Sequence, residues 1–233
     1  MFRFFLSFIL ICFVVPAHAF RVLPMVYDLA VSGPEATKTI RVDNSDSSRL
    51  PVEVFAQKRI IHEDGSETRE DAEDDFLIFP PQFSVEAGKS QAIRIQYIGA
   101  QDIKQSVGYV ITVAQLPVNF KAEEEAGVKF AFEFGTSVNV IPKGAKSDVK
   151  ILSVKAKANT AEIVARNNGE AYTRLIYGRW VFSNNAGEEY IIEGDLLRDT
   201  LEQPLIQPQT KRKIVLNLPK NYSTQGLRVR YEE

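Results

Sequence analysis

Cysteine is almost absent from this sequence: Cys12 is the one example in 233 residues. It lies in an apolar N-terminal stretch, so a disulfide framework is excluded and the folded part must hold by core packing alone. Histidine is nearly as scarce, with 2 in the chain. His62 sits beside Glu63-Asp64-Gly65 at a turn. With so few sulfur and imidazole ligands, a structural zinc site is excluded. Ser66 and Asp64 are close to His62, but residues of one turn cannot supply the separate nucleophile, base and orienter of a triad. No glycine-rich loop is built to cradle a phosphate. Glu193, Asp195 and Asp199 have nothing around them that suits a glycosidase. The acidic run 63–75 lacks the spaced ligands and central glycine of a calcium loop and reads as a charged, solvated loop. No catalytic constellation, metal site or cofactor site emerges, and an enzyme is not expected.

There is no basic excess either. Lys and Arg total 28 against 30 Asp and Glu, a net charge of -2. That balance gives no attraction to nucleic acid or to anionic lipid. Long apolar runs are missing beyond the N-terminus, so membrane insertion is not expected. The one apolar run, residues 4–15, spans about 12 residues, too short to cross a bilayer comfortably. Arg3 precedes it, Pro16 ends it, and Ala17-His18-Ala19 follows as a small-x-small site. Residues 1–19 therefore read as an export signal cut before Phe20. No cysteine follows the cut to take a lipid. The expected compartment is the periplasm of a two-membrane bacterium.

Helical periodicity is the next absence. Residues 103–107 and 194–201 could hold short helices at most. What the chain has instead is strands. Alternation at period two marks residues 22–31, 37–44, 52–61, 76–79, 83–87, 90–97 and 108–116. It resumes at 149–154, 160–167, 175–183, 189–193, 211–218 and 227–231. Turn signals separate them, including Asp64-Gly65, Asn167-Asn168-Gly169 and Asn184-Asn185-Ala186-Gly187. Short strands at this spacing give an all-β chain of sandwiches. The expected division is a first sandwich over 20–142, a linker over 143–148 and a second sandwich over 149–233.

The stretch that organises the chain is 127–142, GVKFAFEFGTSVNVIP. One parity holds Val128, Phe130, Phe132, Phe134, Thr136, Val138 and Val140. The other holds Lys129, Ala131, Glu133, Gly135, Ser137, Asn139 and Ile141. The run is long for a strand, since most have about 3–10 residues. It is either a long core strand, or a strand whose N-terminal half offers its apolar side chains to another molecule's sheet.

An early strand ends in Val42-Asp43-Asn44. Pro51-Val52-Glu53-Val54 opens another. Phe79-Pro80-Pro81 leads to the turn Glu86-Ala87-Gly88-Lys89 and then to Gln91-Ala92-Ile93-Arg94-Ile95. The order of these landmarks resembles the periplasmic chaperones of pilus assembly by the chaperone–usher route, and residues 109–117 and 128–142 resemble the strands flanking that family's long loop. The resemblance implies two immunoglobulin-like β-sandwiches with a cleft between them and a non-enzymatic activity. A pilus subunit lacks the last strand of its own sandwich, and the chaperone lends it one. The donor side chains would be Val128, Phe130, Phe132 and Phe134. The partners implied are pilus subunits and an outer-membrane usher, with self-association through the exposed strand when no subunit is bound.

Some of the family's residues are missing. Its best-known branch anchors the subunit's C-terminal carboxylate with an arginine on the first strand and a lysine on the long strand. Those places hold Asp28 and Ser137 here. The basic member of its interdomain charge cluster is Ile141 here. The chain thus resembles the non-classical branches, including the one called archaic. Arg94, Arg41 and Arg21 are the candidate anchors, because an arginine fork matches a carboxylate. The competing expectation is a structural or adhesive periplasmic protein that polymerises through its own exposed strand.

Overall fold

Residues 22–31 and 37–44, read from the sequence as two strands, fold as three strands in two sheets. In the computed structural model, which describes residues 20–117, 131–201 and 203–233, β1 (Arg21–Leu23) and β2 (Val26–Ala30) are separated by Pro24. Proline has no N–H to continue a ladder. The chain leaves one sheet there and enters the other, so the single strand expected over 22–31 is two. β1 pairs antiparallel with β3 (Thr37–Asp43).

The same device recurs later. β4 (Leu50–Ile61) is followed by β5 (Glu67–Asp71), and β6 (Phe76–Phe79) is split from β7 (Gln82–Val85) by Pro80-Pro81. β6 joins the sheet of β1 and β3, whereas β7 pairs with β4 in the other sheet. β8 (Ser90–Tyr97), β9 (Val107–Gln115) and β10 (Glu133–Ile141) complete the first sandwich. Its sheets have the orders β1-β3-β8-β6 and β2-β10-β9-β4-β5. Ile40, Val42, Ile93 and Ile95 from one sheet meet Val52, Ile111, Val138 and Val140 from the other in a single core.

β5 corrects the expectation of a plain loop over 63–75. Its five residues, ETRED, are polar on both faces, so alternation of hydrophobicity could not reveal them. The strand pairs with β4 at the sheet edge, where charged side chains also block pairing with another chain.

Of the described residues in the long-strand pattern, 131 and 132 lie outside the strand. β10 begins at Glu133, and the ladder reaches one residue further, because the Gln115 N–H donates to the Phe132 carbonyl at 2.9 Å. Val128 and Phe130 lie outside the described residues, as do residues 1–19.

The second sandwich uses β11 (Val149–Lys157), β12 (Thr160–Asn167), β13 (Thr173–Arg174), β14 (Arg179–Ser183) and β15 (Glu189–Ile192). A short helix, α1 (Asp195–Thr200), comes next, then β16 (Leu205–Ile206), β17 (Lys211–Asn217) and β18 (Arg228–Glu232). The ladders are β11-β12-β17, β13-β16 and β15-β14-β18. The strand expected over 175–183 starts only at Arg179, because residues 175–178 turn. Trp180 explains that turn: its buried indole N–H donates to the Leu175 carbonyl at 3.1 Å. Residues 103–107 hold no helix.

Candidate functional site

The candidate strand is β10, held between β2, parallel, and β9, antiparallel. Its inward parity changes character along its length. Thr136, Val138 and Val140 are fully buried in the first core. Phe134 is half-buried, its ring edge-to-face with Phe20 at 4.6 Å. Phe132 is 42% exposed. Among the described residues of the row, burial therefore falls away between Phe134 and Phe132. Phe134 contributes to the chain's own core and Phe132 does not.

The other parity of β10 faces the second sandwich. Ser137 accepts a hydrogen bond from Arg59 Nη2 at 2.8 Å and another from Arg174 Nη2 at 3.4 Å. Arg59 comes from β4 of the first sandwich, Arg174 from β13 of the second. Arg59 is only 7% exposed. Burial is the largest influence on its guanidinium and lowers its pKa from the ordinary arginine value; Glu67 opposes that, and Arg174 and Arg69 reinforce it. The Nε atoms of Arg59 and Arg174 are buried with no hydrogen-bond partner among the described residues. Glu67 lies 3.9 Å from Arg59 but is closer to Arg69, at 2.7 Å. A Cβ on Gly135 would sit 3.8 Å from Arg69, so this cation too reaches the flank of β10. Arg59 and Arg174 thus meet at Ser137 on β10, with Arg69 and its partner Glu67 beside Arg59. Such a place favours an incoming anion, and a carboxylate can accept from two forks at once.

Asp28, the residue standing where a cation was expected, has a different task. Its Oδ1 accepts from Tyr172 of the second sandwich at 2.8 Å and from Asn139 of β10 at 3.1 Å. Burial first, then this hydrogen bond, pushes the Tyr172 phenol above its ordinary range. Asp28 ties the sandwiches together beside the cleft.

The three arginines named from the sequence do not meet at the long strand. Arg21 and Arg41 both hold Asp43, at 2.9 and 2.8 Å. The Ser90 hydroxyl at 2.6 Å, followed by Arg21, brings the Asp43 carboxyl down to about 2. Arg94 lies on β8, between Thr39 and Phe79, on the exposed face of the sheet that does not contain β10. Sequence reasoning missed Arg59 and Arg174. Arg59 falls on the parity of β4 that also holds Glu53 and Gln57, so alternation reads it as one more outward polar residue, and only the second sandwich buries it. Arg174 lies in a two-residue strand that no periodicity marks. His62 is at the β4–β5 turn, within 3.0 Å of Thr68, as a solvated turn residue would be. Among the described residues no cluster of His, Cys, Asp and Glu could hold a metal, and no helix is long and apolar enough to cross a membrane.

Residues 27–146 match the family described as pili and flagellar-assembly chaperone, PapD N-terminal domain. No curated protein matches the chain by sequence. Among solved structures, the class 5 fimbriae chaperone CfaA is similar over 92% of this chain and 99% of its own, with 16% identity and a TM-score of 0.60. A chain of the SafA pilin–SafB chaperone complex of Salmonella enterica is similar over 88% of this chain and 86% of its own, at 13% identity and a TM-score of 0.56. A chain of the CsuC–CsuE complex, from archaic chaperone–usher Csu pili of Acinetobacter baumannii, is similar over 84% and 89%, at 13% identity and a TM-score of 0.54. At such identities these likenesses speak for the fold: two β-sandwiches in one chain.

Proposed function

Because the chain belongs to the family of pili and flagellar-assembly chaperones, we propose that it captures pilus subunits by lending them the outer end of its long strand. Strand addition gives affinity through the backbone ladder and specificity through alternate side chains. Val128, Phe130 and Phe132 are the donor side chains, and Phe134 is the root that fixes the strand to its own sandwich. The observation that carries this reading is the break in the row: an apolar face that is buried at Thr136 and already open at Phe132. Burying each donor in a subunit's groove is worth roughly 1.5–3 kcal/mol.

The subunit's C-terminal carboxylate binds between Arg59 and Arg174, in place of the cation pair that Asp28 and Ser137 cannot form. Two converging guanidinium groups with unused donors support this assignment. Their difference from the best-known branch agrees with a non-classical chaperone. Residues 1–19 direct the chain to the periplasm, and the captured subunit passes to an outer-membrane usher.

The test is co-expression of the tagged chain with a pilus subunit that lacks its last strand. Recovery of a stable one-to-one complex from the periplasm supports the proposal. A subunit that remains equally soluble, and unbound, without the chain contradicts it.

A further inference from the structure

The cleft is walled by two sandwiches, so its shape depends on what holds them at an angle. The short connection between them, 143–148, is itself tied down. The Lys146 carbonyl accepts from the N–H groups of Glu170 and Ala171 at 2.8 and 3.0 Å, and the Asp148 N–H donates to the Asn167 side chain at 3.0 Å. A Cβ on Gly169 would lie 2.2 Å from the Lys146 carbonyl oxygen, so only glycine allows this approach.

A second seam joins the sandwiches away from the connection, at the β4–β5 turn. Gln207 presents its amide to β4 as a neighbouring strand would. Its Nε2 donates to the Arg59 carbonyl at 2.7 Å, and its Oε1 accepts from the Ile61 N–H at 3.2 Å. Arg212, buried on β17, donates to the carbonyls of His62 at 3.0 Å and Gln203 at 2.8 Å. The Lys213 N–H donates to the Glu63 carbonyl at 2.6 Å. Two glycines make the room. A Cβ on Gly65 would come within 2.9 Å of both terminal nitrogens of Arg212, and one on Gly108 within 3.0 Å of Gln207 Nε2.

Most acceptors at this seam are neutral carbonyls. The accompanying ion pair, Lys213–Glu63 at 3.8 Å, is long and exposed, and Gln203 reaches Glu67 only at 3.4 Å. We infer that Gln207 and Arg212 are positioning residues that preset the cleft in the free protein. They act through Arg59 and Arg174: the same Arg59 whose carbonyl holds Gln207 sends its guanidinium to Ser137, where Arg174 arrives from the other sandwich. The cleft's use for a subunit carboxylate rests on the function proposed above, whereas the preset angle is a property of the free chain. Because the seam relies on desolvated contacts to carbonyls, salt screening leaves the angle unchanged.

The experiment places spin labels at Lys89→Cys and Lys155→Cys, exposed positions in the two sandwiches, in the leader-free chain, and measures their separation by pulsed electron resonance. The expected result is one narrow distance distribution that stays the same from about 0.05 M to about 1 M salt. Gln207→Ala with Arg212→Met broadens it, while the circular dichroism of the strands persists. Gly65→Ala, which displaces Arg212 without touching the second core, broadens it as well and serves if the double variant fails to fold. Capture of the subunit falls about tenfold in each broadened variant, as for the loss of a charge-assisted hydrogen bond. A distribution that salt broadens, or that both variants leave narrow, overturns the inference. So does a broadened distribution with unchanged capture. If the unsubstituted chain captures no subunit, the proposed function fails, and the distance measurements still decide the angle.

Discussion

The hydroxyl of Ser137 accepts one hydrogen bond from each sandwich, from Arg59 at 2.8 Å and from Arg174 at 3.4 Å. Two cations directed at one neutral oxygen repel each other unless an anion joins them. Replacing Arg59 by Met removes one member while filling its space. Losing one member of a buried ion pair is destabilising when it strands the other charge, but Glu67 keeps Arg69 as its partner at 2.7 Å, so removing Arg59 leaves no buried carboxylate unpaired. The melting temperature of free Arg59→Met should hold or rise. Its affinity for the subunit should fall about tenfold to a hundredfold, because hydrogen bonds to charged groups are worth about 1.5–3 kcal/mol. Calorimetric binding of the subunit and thermal melting of the free chain check both halves.

Phe134 and Phe132 share one face of β10 and differ in burial. Phe134→Ala removes the edge-to-face contact with Phe20 and part of the first core. It should cost about 1–3 kcal/mol, less than a fully buried phenylalanine, because the ring is only half-buried. Phe132→Ala should leave melting within about 0.5 kcal/mol. Chemical denaturation of the two single variants is the measurement, and equal losses would place both rings in the same core.

Much of the fold was legible before the structure. Alternation located most strands, because those strands bury one face and expose the other. β5 was not legible because both its faces are polar, and the crossing at Pro24 was not because residues 22–27 are apolar on both sides of the proline and nothing in them marks a change of sheet. The row of phenylalanines was visible in the sequence, but where its burial ends, at Phe134, depends on Phe20, which is far away in sequence. The proposed anchor was the least legible part. Arg59 and Arg174 belong to different sandwiches, and only the angle between those sandwiches brings them together. Arg21 and Arg41 looked available from sequence, yet Asp43 occupies both.

Asn44 stood out in sequence as the polar end of a strand, and the structure gives its reason. Its amide donates to the carbonyls of Ser48 at 2.8 Å and Val85 at 3.0 Å, and its carbonyl accepts from the Asp46 N–H at 3.0 Å. Asn44→Ala leaves these buried backbone groups without partners. The first sandwich should lose about 2–4 kcal/mol, at about 1–3 kcal/mol for an unsatisfied group. Denaturation followed by tryptophan fluorescence would miss the change, since Trp180, the 1 tryptophan of the chain, is in the second sandwich. Far-ultraviolet circular dichroism reports it.

Asp43 makes stability depend on acid. Its carboxyl is held near 2, below the ordinary 3.8, chiefly by the Ser90 hydroxyl and then by Arg21. A carboxylate depressed in the folded state contributes stability that is fully present above its unfolded value. That contribution fades as pH falls from about 4 and is gone once the folded group is protonated, below about 2. Asp43→Asn should therefore melt lower than the unsubstituted chain at neutral pH, and the difference should shrink across this window. Melting curves as a function of pH test this, and a difference that grows on acidification would contradict it.

The central claim is that the outer end of the long strand serves another molecule's core. Replacing Phe130 and Phe132 together by Asn measures it most directly. If these side chains serve the subunit, the free double variant keeps its melting temperature, because they are not part of its own core. Subunit capture collapses, since about 3–6 kcal/mol of apolar burial is lost and two amides enter an apolar groove. Lys129→Ala and Glu133→Ala, on the opposite parity, should leave capture intact. Thermal melting of the free variant and recovery of subunit on the tagged chain from the periplasm are read together. Normal melting with lost capture is the predicted result. Normal melting with undiminished capture would contradict the donor strand, and a variant that no longer folds would return Phe130 and Phe132 to the chain's own core.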